Sequence, residues 1–138
     1  MNANRDLLSR QQALHLLAGM TTGRVVYTAH ALPAVLPVRC SLAEDGSLLL
    51  DAHAPADLLR AAESGVIAFE TGEIDQLDGK GWSVTVLGHA KVITRAEGLM
   101  PARSPAAPAD AEPAGRTVIR LHPELVTGRS IGASPRSG

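Results

Sequence analysis

The feature that most constrains this chain is the run Gly81 to Ile93, GWSVTVLGHAKVI, its longest unbroken stretch of strand-forming residues and the site of its one tryptophan. β-Branched and aromatic residues fit a pleated, half-buried surface, so the run predicts the central strand of a β-sheet or barrel. Successive side chains of a strand point to opposite faces. Trp82, Val84, Val86, Gly88, Ala90 and Val92 therefore share one face, and Ser83, Thr85, Leu87, His89, Lys91 and Ile93 the other. The first face runs from a bulky indole through branched aliphatics to residues with almost no side chain. Gly88 within it predicts a bend at a barrel corner, a bulge, or a backbone or ligand passing close.

A chain of 138 residues, 45% of them hydrophobic, is long enough for one domain with a substantial core. Lys and Arg total 13 against 14 Asp and Glu, which leaves no basic field for a nucleic-acid backbone, and 2% aromatics leave little for base stacking. Nucleic acid is therefore not the expected partner. Cys40, the one cysteine, cannot close an intramolecular disulfide, and no charged segment followed by an apolar one opens the chain. No apolar run approaches the ~20 residues of a membrane span. Together these predict a cytoplasmic protein with no membrane partner.

Taken from its start, the chain offers Ser9-Arg10-Gln11-Gln12, a capping-box pattern, then Leu14, Leu16 and Leu17, and a stop at Gly19, which places one short helix within residues 1–20. Strands follow at 23–29 and 33–41, joined by a short connection through His30, and at 47–51 after the turn Glu44-Asp45-Gly46. Pro37 lacks a backbone donor, so it marks an edge or an interruption of pairing. Pro55 at a first helical position opens a second helix through Leu58, Leu59 and Ala62 to Gly65. The fourth strand is 66–70, the fifth 81–93 and the sixth 117–122. Residues 100–115 hold four prolines among alanines and predict a flexible loop, and 132–138 a loose tail. The whole is expected to be one mainly β domain over 1–131, a six-stranded antiparallel barrel with few helices.

Few residues announce chemistry by spacing. His15, His30, His53, His89 and His122 show no metal-ligand pattern, so no metal site is expected. Cys40 beside Arg39 reads either as a thiolate activated by a cation or as a small buried hydrophobe. Asp75 and Asp78 read as solvated turn residues, and Trp82 as an anchor in a core or interface or as a ligand contact.

The order of several short words resembles the FMN-binding split-barrel proteins of the pyridoxamine 5'-phosphate oxidase-like family, particularly its short actinobacterial-type members. The words are Gly23-Arg24, Leu32 to Val38, Val66 to Glu70, Gly81-Trp82-Ser83-Val84-x-Val86-x-Gly88-x-Ala90, and Ile119-Arg120-Leu121-His122-Pro123-Glu124-x-Val126-Thr127-Gly128-Arg129. The resemblance implies a homodimer with two flavin sites at the subunit interface. It implies a ring lying along Leu36, Pro37, Val38 and Arg39, a phosphate near Asp51, Ala52, His53 and residues 54–58, and a further approach by Trp82 and Ser83. A helix N-terminus after His53 suits a phosphate physically, because its N–H groups are unpaired.

One position departs from the family pattern. Where flavin-binding members carry a cation in this turn, the chain has Asp57, which would repel a phosphate where a charge-assisted hydrogen bond is expected. Arg39, a partner arginine or a protonated His53 would have to compensate. The resemblance thus implies an FMN-dependent oxidoreductase acting on a small substrate. Two alternatives stand beside it: a reductase using the deazaflavin coenzyme on the same fold, and a non-catalytic dimer that binds flavin or haem, with His53 or His30 as axial ligand, or no cofactor. Vitamin B6 oxidation is not implied, since Thr127-Gly128-Arg129 stands where the oxidases carry a tryptophan-containing word.

Overall fold

Strand β6, Gly81–Ile93, organises the computed structural model, which describes residues 7–93 and 116–132. Its even-numbered face turns inward: Val84 and Val86 are fully buried. On one side β6 pairs along Gly81 to His89 with β5, Val66–Ile74. On the other it changes partner midway. Residues 81–87 pair with β8, Leu125–Ile131, and residues 90–93 with β7, Arg116–Leu121.

The remaining elements are β1, Leu7–Leu8; α1, Arg10–Ala18; β2, Thr22–Ala29; β3, Leu32–Leu42; β4, Leu48–His53; and α2, Ala56–Ser64. Pairing runs β2 to β3, β3 to β4, β4 to β7, β7 to β6, β6 to β5 and β5 back to β2, all antiparallel, which closes a six-stranded barrel. These are the six strands expected from the sequence, and closure gives each of them a partner on both sides over at least part of its length. Strands β8 and β1 extend the sheet beyond the ring and were not foreseen. The reason is local: Gly128 and the polar residues around it interrupt the apolar pattern of 125–131, and two residues of β1 carry no periodicity. At Gly128 an added Cβ would lie 3.1 Å from Cβ of Ala13, because α1 packs there.

The partner change occurs opposite Gly88. His122 N donates to His89 O and Glu124 N to Leu87 O, both at 2.9 Å, so the His122-Pro123-Glu124 corner lies directly on β6. A Cβ at Gly88 would sit 1.8 Å from His122 O. Of the readings open from sequence, the neighbouring backbone is the one found.

Inward side chains from all six barrel strands, among them Val25, Leu48, Leu50, Ile67, Phe69 and Leu121, form the core, and α2 closes it with Leu58 and Ala62. Helix α1 begins at the expected capping box, with Gln12 N donating to Ser9 Oγ at 3.0 Å and Ser9 N to Gln12 Oε1 at 2.8 Å. Pro55 stands one position earlier than expected, as the N-cap of α2, with extended backbone. Asp75 accepts from Leu77 N at 2.7 Å in the polar turn before β6, as solvated turn residues do. The proline-rich segment 100–115 and all but the first residue of the 132–138 tail lie outside the described residues.

The β2–β3 hairpin turns through His30 and Ala31, at φ 54° and 66°. Both central residues of such a tight turn take the left-handed conformation, which favours Asn-Gly and strains residues with a Cβ. Replacing His30 and Ala31 by Asn and Gly is expected to stabilise the fold by about 1 kcal/mol, read as a higher urea midpoint at unchanged slope.

Candidate functional site

Strand β3 has β2 as its ladder partner along residues 32–38 and gains β4 only from Arg39 onward. Pro37 sits in the stretch with one open edge, where its missing N–H leaves no ladder bond unmade. Beside that stretch lies a cavity of about 670 Å³, inside the ~300–1,000 Å³ range of small-molecule sites. One wall is Leu36, Pro37, Val38 and Arg39; a second is Asp51, Ala52 and His53 from the end of β4; the third is Met20 and Thr22 to Arg24 with Thr71 and Gly72.

Strand pairing explains the meeting of these segments. Thr22 opposes Arg39, Arg24 opposes Pro37, and Arg39 opposes Asp51. The side chains of Thr22, Arg24, Pro37 and Arg39 all point outward, since their neighbours Gly23, Val25, Val38 and Cys40 are buried. Buried Thr71 donates from Oγ1 to Thr22 O at 2.8 Å and ties β5 to β2 at the cavity floor. Gly23 is required there by packing: a Cβ would lie 2.3 Å from the Phe69 ring.

The two arginines of the cavity differ electrostatically. Arg24 donates from Nε and Nη2 to Glu70 Oε1, at 2.9 and 2.5 Å, so its charge is already matched. Arg39 is exposed and makes no hydrogen bond or ion pair with another described residue. It is the cation at this wall with its donors available to a ligand, in a fork that suits a phosphate or carboxylate.

Seven of the residues named from sequence, Leu36 to Arg39 and Asp51 to His53, are thus brought to one cavity. Trp82 and Ser83 are not among its walls; they oppose Glu73 and Gly72 across the β5–β6 ladder, one strand away. Asp57 is placed elsewhere. Its Oδ1 accepts from the Tyr27 hydroxyl at 3.3 Å, and Tyr27 lies in the core, where burial and the Asp57 carboxylate together raise the phenol pKa. Gly23-Arg24 is legible in the sequence as a word of the family resemblance; Met20, Thr22, Thr71 and Gly72 are wall residues recruited by strand pairing, which no local pattern reports.

The other candidates resolve as follows. Cys40 is buried, its Sγ donates to Met20 O at 3.6 Å, and burial pushes the thiol pKa up to about 11. It is a thiol, not a thiolate, at neutral pH. His30 sits in the exposed hairpin turn, while His53 lies on the cavity wall. His89 is exposed and its Nδ1 pairs with Glu124 Oε2 at 2.7 Å, which helps hold that carboxyl below its ordinary range. No helix among the described residues is long and apolar enough to cross a membrane.

Known proteins with this architecture are consistent in kind. An uncharacterised protein of Mycobacterium tuberculosis, Rv0080, is 36% identical over 135 residues, covering 94% of this chain and 88% of its own. Among solved structures, an FAD-binding protein of Mycobacterium smegmatis superposes with a TM-score of 0.63 at 24% identity, covering 90% of this chain and 95% of that one. An FAD-binding protein from Mesorhizobium loti gives 0.66 at 16% identity, with 92% and 96% covered. At these identities the structures establish the fold alone, the split barrel. Residues 9–130, which include all six strands of the closed barrel, match the family described as pyridoxamine 5'-phosphate oxidase, and the chain belongs to that family.

Proposed function

We propose that the cavity beside β3 holds a flavin and that the protein is a flavin-dependent oxidoreductase acting on a small substrate. The observation that carries this reading is the exposed guanidinium of Arg39, without a protein partner among the described residues, on the wall of a cavity sized for such a ligand. In this reading Arg39 binds the phosphate by charge-assisted hydrogen bonds. The open edge of β3 from Leu36 to Val38 lies along the ring, and His53 at the mouth adds a donor when protonated. Residues 54–58, at the start of α2, are not among the cavity walls, so in this reading the anion rests on Arg39 and not on the helix N-terminus. Asp57, engaged by Tyr27 and off the cavity walls, does not oppose that anion directly. A bound flavin supplies hydride or electron transfer at its ring, and the protein supplies position, dryness and charge.

A homodimer fits the same reading. Across the outer face, Val35 opposes Val26, Val26 opposes Ala68, Ala68 opposes Leu87 and Leu87 opposes Leu125, an apolar row over five strands. Val35 and Leu125 at its ends are 58% and 54% exposed. A second copy laid on this row would bury it and roof the adjacent cavity.

The test is an absorbance spectrum of the purified protein, alone and after titration with FMN, FAD or the deazaflavin coenzyme, followed by gel filtration. Retention of a flavin band at the mass of a dimer is the expected result. Retention of the deazaflavin alone would replace the cofactor, and retention of none would refute the reading. Asp57→Asn is expected to leave flavin affinity within about twofold, because removing a charge from a site that does not touch the ligand changes little.

A further inference from the structure

A second, smaller cavity of about 80 Å³ lies beside the first on the outward side of the sheet, lined by Leu7, Ser83, Thr85, Thr127, Gly128 and Arg129. Its construction follows from register. Ser83 opposes Arg129 and Thr85 opposes Thr127, while the intervening Val84, Val126 and Gly128 are buried, so three hydroxyl-bearing residues and one arginine share the outward side. Arg129 is exposed and makes no hydrogen bond or ion pair with another described residue. Glu70, the cross-strand neighbour of Thr85, is on the same face, but its carboxylate is held by Arg24.

The two cavities meet at one cross-strand pair. Gly72 lines the first, Ser83 lines the second, and they oppose each other in the β5–β6 ladder. With no side chain on Gly72, nothing larger than a serine hydroxymethyl stands between them at that step. The small cavity has room for a few water-sized groups, at about 30 Å³ each, and not for a heterocycle.

We propose that this is an oxyanion subsite, in which Arg129 with Ser83, Thr85 and Thr127 receives the carboxylate or phosphoryl group of the substrate. The rest of that substrate extends over Gly72 toward the first cavity. The inference rests on the flavin reading for its partner site, and it narrows the substrate class to small molecules carrying an anionic group at one end. Arg supplies a planar fork of donors for two oxygens, and the hydroxyls supply donors for the remaining lone pairs.

The test is a titration of the full-length protein with inorganic phosphate and, separately, with acetate, followed by 15N–1H NMR at the amides of Ser83, Thr127 and Arg129 and at Arg129 Nε. Flavin retention is measured on the same preparation. Saturable shifts confined to these groups are expected, with at least a tenfold loss of affinity in Arg129→Gln and partial recovery in Arg129→Lys. Which of the two anions binds more tightly identifies the group. Retained flavin with no saturable shift, or shifts spread equally over the other surface arginines, overturns the subsite and leaves the flavin reading standing. Saturable shifts without any flavin uptake overturn the link to a flavin substrate, and with it the flavin reading.

Discussion

Replacing Gly88 by alanine is expected to destabilise the protein by about 3 kcal/mol or more, enough to unfold a domain of ordinary stability. The added methyl would stand 1.8 Å from the His122 carbonyl oxygen, a backbone atom that cannot rotate away. Relief requires the corner to lift off β6, which breaks the bonds from His122 N to His89 O and from Glu124 N to Leu87 O. That corner is the point at which the chain, after β7, leaves the barrel and β8 takes up the first half of β6, so the damage spreads to both. Alanine at Gly46 is the control, because no atom lies within 4 Å of a Cβ there; with φ at 90° it pays only a conformational cost, on the order of 1 kcal/mol. Circular dichroism and urea unfolding of the two variants make the comparison. A Gly88→Ala protein as stable as the Gly46→Ala protein would contradict the close approach.

The second large effect is on binding. Arg39→Glu is expected to lower flavin affinity at least 100-fold, since it removes a charge-assisted contact worth ~1.5–3 kcal/mol and puts a negative charge beside a phosphate. Stability is expected to stay nearly unchanged, because the guanidinium is exposed and bonds to no other described residue. Riboflavin, which has the ring without the phosphate, separates the causes: its affinity for the variant should fall far less than that of FMN. Equal losses for both would move the phosphate away from Arg39. Arg24→Gln, which removes a cation already matched by Glu70, is expected to do less than Arg39→Gln.

Much of the barrel was legible in the sequence for a physical reason. Strands of the closed ring are buried on one face, so burial writes an alternation into 23–29, 33–41 and 81–93 that can be read without coordinates. The capping box at Ser9 and Gln12 was legible because its two hydrogen bonds join residues three apart. Strand β8 was not, because its apolar residues, Leu125, Val126 and Ile131, follow no alternation and the segment owes its place to pairing with β6. Asp57 shows the same limit at the site. Its position in the first turn of α2 was correct, yet the direction of its side chain depends on Tyr27, thirty residues earlier in the chain.

What the sequence determined by itself was therefore local: which segments are strands, which residues face inward, where the helices begin, and the family resemblance those words carry. Tertiary structure alone decided that Met20, Thr22, Thr71 and Gly72 join Pro37, Arg39 and Asp51 around one cavity, that Arg24 is neutralised by Glu70 while Arg39 is not, and that Gly88 answers to the backbone of His122. Periodicity reports the burial of a residue against its own element's neighbours. Register and closure join residues distant in the chain, and they are fixed by the packing of the whole barrel, so no single segment contains them.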